Sequence, residues 1–223
     1  MNHRSTVTRR AVVTGLASLA GSGLAATRGR AKAGAEISQL AADLGQMLLV
    51  GFTGNTTESR SAKILAGHIA SGRIGGALFR KMNVGSRSEL ASLLGMLSPA
   101  HAAPLIALDH EGGYVQRLVG PGFTRLPPAR EVAMTHTPAE AKTLYAQAAA
   151  EFAATGFNLN LAPVVDLDDA RSPAIGHFGR AFDREPVRIV AYAEAFIDAF
   201  AAAGVHCALK HFPGEGHARE DSH

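Results

Sequence analysis

Between Met47 and Leu209, five short apolar runs alternate with longer stretches of helical spacing, and this alternation limits the fold more than any other feature. The runs are Met47 to Phe52, Gly75 to Phe79, Leu105 to Leu108, Leu159 to Val165 and Val205 to Leu209. Between them, Ser61 to Ser71, Ser88 to Leu97, Pro138 to Thr155 and Arg188 to Ala203 repeat apolar residues at helical intervals. Consecutive parallel strands need a crossover long enough to bring the chain back, and a helix supplies it. The expected class is therefore α/β, built from strand-helix units around a parallel sheet. A composition of 47% hydrophobic and 18% charged residues suits a packed core rather than a disordered chain. Residues 34–223 contain no sequence repeat, low-complexity tract or obvious linker, so they read as one domain.

Residues 1–33 read differently. They hold Arg4, Arg9, Arg10, Arg28, Arg30 and Lys32 and no acidic residue. The whole chain carries a formal charge of +3, so removing these six cations leaves the remainder near −3. The basic balance belongs to this segment, and the rest lacks the positive footprint that nucleic-acid binding requires. The twin-arginine pair Arg9-Arg10, the weakly apolar run Ala11 to Ala26 and the small-x-small site Ala31-Lys32-Ala33 have the layout of an export signal. The apolar run is short for a bilayer span. The expectation is a twin-arginine signal peptide over 1–33, export to the periplasm or outside the cell, and no stable membrane span after cleavage. Cys207 is the only thiol, which excludes an internal disulfide, and its apolar surroundings mark it as a packing residue.

The chemistry-bearing residues collect where the apolar runs end. Leu105 to Leu108 delivers Asp109, His110 and Glu111, followed by Gly112-Gly113 for a tight backbone turn and then Arg117. Asn158 to Asp166 ends on a carboxylate, with Asp168 and Asp169 close behind, and a solvated acidic loop is the expectation there. Val205 to Leu209 leads into Lys210-His-Phe-Pro-Gly-Glu-Gly-His-Ala-Arg-Glu-Asp-Ser-His223, where Pro213, Gly214 and Gly216 end any regular ladder. Asp221 and His223 stand two positions apart, close enough to pair if the loop curls, and a carboxylate on one ring nitrogen leaves the other for proton transfer.

This last stretch resembles the signature K-H-F-P-G-x-G-x(4)-D-S-H of family 3 glycoside hydrolases, in the beta-N-acetylhexosaminidase branch. Every fixed position is present, with Glu215 where the commonest family residue is His. Asp109 to Leu118 is similar to D-Q-E-G-G-R-V-x-R-L, departing at His110 and Tyr114. Asp166 closes a run similar to A-P-V-x-D, and Ile175 to Asp183 resembles I-G-x-R-x-F-G with some length variation. The resemblance implies a (β/α)8 TIM-type barrel, of which about the first five β/α units are present. It also implies sugar contacts from Asp109, Arg117, Arg180, Lys210 and His211, and an acid/base role for His223 with Asp221 as its partner. The implied substrate is a saccharide with terminal beta-linked N-acetylglucosamine, cleaved with retention, without a cofactor or metal. The family nucleophile is an Asp on a later strand, so residues 1–223 alone are expected to give negligible turnover.

Several alternatives remain open at this level. Asp109 and Arg117 are also able simply to pair with each other. An inactive sugar-binding protein would keep Asp109, Arg117, Lys210 and His211. A metal-dependent hydrolase would use His211, His217 and His223, although their spacing is unlike that of common zinc helices. Phe182 reads as core rather than as a sugar platform. The sequence leaves the oligomeric state open.

Overall fold

The computed structural model describes residues 36–99 and 102–221. Helix α1 covers residues 36–46, a stretch the apolar pattern had not assigned. The compact body that begins at Gln46 then runs β1 (Leu49–Gly51), α2 (Arg60–Ala70), β2 (Gly76–Phe79), α3 (Arg87–Leu97) and β3 (Leu105–Leu108). A hairpin of β4 (His110–Gly112) and β5 (Val115–Gln116) follows, then α4 (Ala129–Thr135), α5 (Pro138–Thr155), β6 (Leu159–Asn160), α6 (Pro186–Ala202) and β7 (His206–Cys207). The twin-arginine segment lies outside the described residues, as does His223. Among the described residues, no helix is long and apolar enough to cross a membrane.

The main sheet is parallel throughout, in the order β1-β2-β3-β6-β7. Leaving the hairpin aside, spatial order equals chain order, so each new strand is laid beside the last. Right-handed crossovers that always advance in one direction put their helices on one face, as in a barrel. A doubly wound sheet would instead reverse its order partway. The fold is thus α/β of the (β/α)8 TIM-type, with about the first five units present.

Local chemistry explains the helices. Thr137 and Glu140 form a reciprocal capping box, Pro138 occupies the first turn of α5, and Gly156 closes the helix with a left-handed φ of 110°. Ser86 and Glu89 cap α3 in the same way. On α6, Ile189, Tyr192, Ala193, Phe196, Ala199 and Phe200 share the buried stripe. Phe196 and Phe200 stack on each other, and an edge-to-face series runs on from Phe200 to Phe152 and from Phe157 to Phe79 and Phe52. Phe182 is buried and stacks on Tyr192, which places it in the core as expected. Cys207 is half-buried at the edge of that core.

Four of the five sheet strands are shorter than the apolar runs predict, β6 most of all. The Leu159–Val165 run keeps its ladder only through Leu159–Asn160, because Pro163 has no N–H to give. Pairing resumes as one parallel bridge between Val164 and Lys210. Side chains reinforce the short strands. Asn158 accepts from Ile106 N–H at 2.7 Å and donates to Pro104 O at 2.9 Å. Asn160 accepts from His110 N–H at 3.0 Å and donates to His110 O at 2.9 Å.

Candidate active site

Parallel strands bring their C-terminal ends to one rim. On it stand Arg80 after β2, Asp109 after β3, Asp166 beyond β6, and Lys210 and His211 beyond β7. Behind them, the β4–β5 hairpin depends on Gly112 and Gly113, with φ of 108° and 55°. A Cβ on Gly112 would fall 2.6 Å from Pro127 O, and one on Gly113 2.9 Å from Pro128 Cα. Only glycine permits this turn, and the turn carries Glu111 inward and Arg117 to the rim.

The rim residues form one continuous polar network. The Lys210 ammonium lies 2.6 Å from Asp109 Oδ1 and 2.6 Å from Glu111 Oε1. Glu111 is buried and also takes two bonds from Arg180, at 2.9 and 2.8 Å. The Arg180 guanidinium continues to Ala174 O at 3.0 Å and to His211 Nε2 at 3.2 Å. On the other side of that ring, Nδ1 lies 2.6 Å from Asp166 Oδ2. With Nδ1 donating to the carboxylate, Nε2 is the acceptor, and the imidazole is held in one tautomer and orientation.

The electrostatics follow from these contacts. Burial would raise the Asp166 carboxyl, but the His211 ring and the Glu215 N–H at 2.6 Å outweigh it and hold the pKa below the ordinary range. Burial also works against the Arg180 charge, yet the Glu111 pair keeps its pKa above the ordinary value. His110 is different, being 2% exposed against Phe152 with its Nδ1 3.4 Å from Leu118 N. Burial pushes its pKa down to about 4, only partly offset by Glu151, so the ring is neutral near pH 7.

The network borders a cleft of about 840 Å³, with Glu111 and Asp166 set behind its lining. Asp109, Arg117, Arg180, Lys210, His211 and Asp221 all line it, so six of the seven site residues expected from sequence meet in one cavity. The seventh, His223, lies outside the described residues. Asp109 pairs with Lys210 and not with Arg117, which has no ion pair to any described residue. The acidic loop after β6 needs correction. Asp166 and Asp169 are buried rather than solvated, and each acid is committed: Asp166 to His211, Asp168 to Arg130, and Asp169 to Arg171 and Arg219. Among the described residues, no group of three or more His, Cys, Asp or Glu could hold a metal. His211 already spends both ring nitrogens on Asp166 and Arg180, so it is not poised as a metal ligand.

Sequence reasoning understated two carboxylates. Glu111 is the hub joining Lys210 to Arg180, and Asp166 orients His211. Both stand at or just past a strand end, which was the available signal. Arg80, Tyr114 and Phe178 also line the cleft; Tyr114 stood out in sequence only as a departure from the family pattern, and Arg80 carried no signal of its own.

A sequential parallel sheet whose charged side chains converge on the C-terminal rim defines a barrel-type α/β protein with its site in the usual place for that class. The chain belongs to glycosyl hydrolase family 3, whose N-terminal domain matches residues 39–223. A beta-hexosaminidase of Methylococcus capsulatus is 41% identical over 152 residues, covering 67% of this chain and 45% of that protein. The chain spans about half the length of the curated relatives it matches. Among solved structures, a beta-N-acetylhexosaminidase from Beutenbergia cavernae superposes with a TM-score of 0.69 at 32% identity, over 82% of this chain and 56% of its own. NagZ from Neisseria gonorrhoeae, in complex with N-trifluoroacetyl-D-glucosamine, gives 0.69 at 29% identity, over 79% and 52%.

Proposed function

We propose that this chain forms the sugar-binding half of the site of an exported glycoside hydrolase that removes terminal beta-linked N-acetylhexosamine, chiefly N-acetylglucosamine, from peptidoglycan or chitin-type saccharides. One observation carries the reading. Lys210 is held 2.6 Å from both Asp109 and Glu111 in a network that runs on through Arg180 to His211 and Asp166, and Asp109, Arg180, Lys210 and His211 of that network line one cleft. Such a network fixes donors and acceptors before the ligand arrives, so a sugar's hydroxyl groups meet a preorganised surface rather than mobile side chains. The relatives named as beta-hexosaminidases, and the related structure that holds a glucosamine derivative, point to the same ligand class.

Each residue then has a role. Asp109 accepts from sugar hydroxyls, Lys210 and Arg180 supply positive charge and position the carboxylates, and the fixed His211 ring borders the bound sugar. Arg117 offers guanidinium donors across the cleft. His223, paired with Asp221, gives a proton to the leaving oxygen and later takes one from water. A later-strand Asp of the family barrel attacks the anomeric carbon from the opposite face, which gives retention. The reaction so described uses proton transfer and carboxylate attack and calls for no cofactor. Twin-arginine export places it in the periplasm or outside the cell, where such saccharides occur.

The test is calorimetric titration of the protein with N-acetylglucosamine. Saturable binding is expected, weakened about ten-fold by Asp109→Asn, which keeps the shape but removes the charged acceptor. Absence of saturable binding, or equal affinity in the variant, would sink the proposal.

A further inference from the structure

Two of the chain's departures from the family pattern touch each other. Tyr114 stands where D-Q-E-G-G-R-V has Arg. Phe178 lies where three residues separate Gly176 from Arg180 and the pattern I-G-x-R has one. The hairpin turn and the loop before Arg180 bring these rings into a parallel stack, with centroids 4.0 Å apart and planes 13° apart. His177 meets Phe178 edge-on at 4.8 Å. Although backed by Phe178, Tyr114 remains 65% exposed. It therefore presents a flat apolar surface to solvent at the mouth of the cleft.

The stack is also a shared wall. Tyr114 and Phe178 line the cleft that holds Lys210 and Arg180, and they line a second cavity of about 530 Å³ beside it. Leu126, Pro127 and Pro128 contribute apolar surface to that second cavity, and Arg125 and Glu131 add one charge of each sign. Its size is within the range of small-molecule sites, and its lining mixes apolar surface with a few polar groups in the usual way.

We propose that the Tyr114–Phe178 stack and this second cavity form another sugar subsite, which takes the pyranose ring attached to the one in the cleft. The inference rests on the reading of the cleft as an N-acetylhexosamine site. Continuity decides the occupant, because a saccharide extending from the cleft across the shared wall passes over Tyr114 first. A pyranose has a face of C–H groups and a rim of hydroxyls. The C–H face suits the electron-rich face of an aromatic ring, and the hydroxyls find a donor in Arg125 and an acceptor in Glu131. A stacked Tyr offers this surface with only two side-chain torsions to restrain.

The experiment compares the affinities of N-acetylglucosamine and its β-1,4-linked disaccharide for the wild type, Tyr114→Ala and Tyr114→Phe by calorimetry. The disaccharide is expected to bind wild type more tightly. The ratio of the two affinities should fall roughly five-fold in Tyr114→Ala and stay at the wild-type value in Tyr114→Phe, which keeps the ring. An unchanged ratio in Tyr114→Ala, with the monosaccharide still bound by wild type, overturns the subsite and leaves the cleft reading intact. If wild type binds neither sugar, the cleft reading fails and the subsite falls with it.

Discussion

Arg180 and Glu111, 69 residues apart in sequence, meet in a two-pronged ion pair whose side chains are 10% and 6% exposed. Removing one partner of such a pair leaves the other charge buried and uncompensated. Glu111→Gln would strand Arg180 and take one of the two carboxylates from Lys210. A loss of about 3 kcal/mol of stability is expected, read as a lower urea midpoint at constant slope.

His110 predicts an acid-side weakness. Its pKa falls from 6.5 to about 4 on folding, chiefly through burial. Above the higher value both states keep the ring neutral, so it contributes no pH dependence. As pH falls through the window, the unfolded chain takes up a proton that the folded chain refuses, and stability declines by about 1.4 kcal/mol per unit. The full effect is about 3 kcal/mol, reached near the folded value. Comparing urea midpoints at about pH 7 and about pH 4.5 for wild type and His110→Gln isolates it, since the variant loses this part of the slope while the carboxylates still titrate.

Gly112→Ala should damage the fold and the site together. The left-handed φ and the clash with Pro127 O together cost about 2 kcal/mol. Thermal unfolding measures the stability loss. Weaker N-acetylglucosamine binding by the folded variant would show that the hairpin positions Glu111 and Arg117.

Cys207 should be chemically quiet. Burial pushes its thiol pKa up to about 12, so almost no thiolate exists near neutral pH. Iodoacetamide near pH 8 should label the native protein far more slowly than the urea-unfolded chain, as intact mass would record. Equal labelling rates would contradict the placement of β7 against the core.

The elements legible in sequence were those with strong local signals. Pro138 to Thr155 has a capping box at one end and glycine at the other, and its bounds matched to the residue. Leu105 to Leu108 also matched, because an uninterrupted apolar run ends there on Asp109. The hairpin of β4 and β5 was hidden, since Asp-His-Glu-Gly-Gly has no apolar alternation and its turn is set by contacts with Pro127 and Pro128. Helix α4 is short and begins right after Pro127-Pro128, so its periodicity never had room to emerge. The cleft residues were visible one by one at strand ends. Their connections were not, because Lys210 finds Asp109 across 101 residues and only the tertiary fold makes that pair.

The amides of Asn158 and Asn160 give the sheet a second rail. Both asparagines join β3 or its extension through their side chains, beside the backbone bonds from Asn158 N–H to Ile106 O and from Leu161 N–H to Leu108 O. A two-residue strand held only by its ladder is free to slip by one position, and a slip of one turns every side chain to the opposite face. Here such a slip would have to break the amide pairs with Pro104, Ile106 and His110 all at once. The alignment of Asp109 with Lys210 is therefore locked by β6, the strand that lies between β3 and β7, and the rim can stay polar and irregular without losing its register.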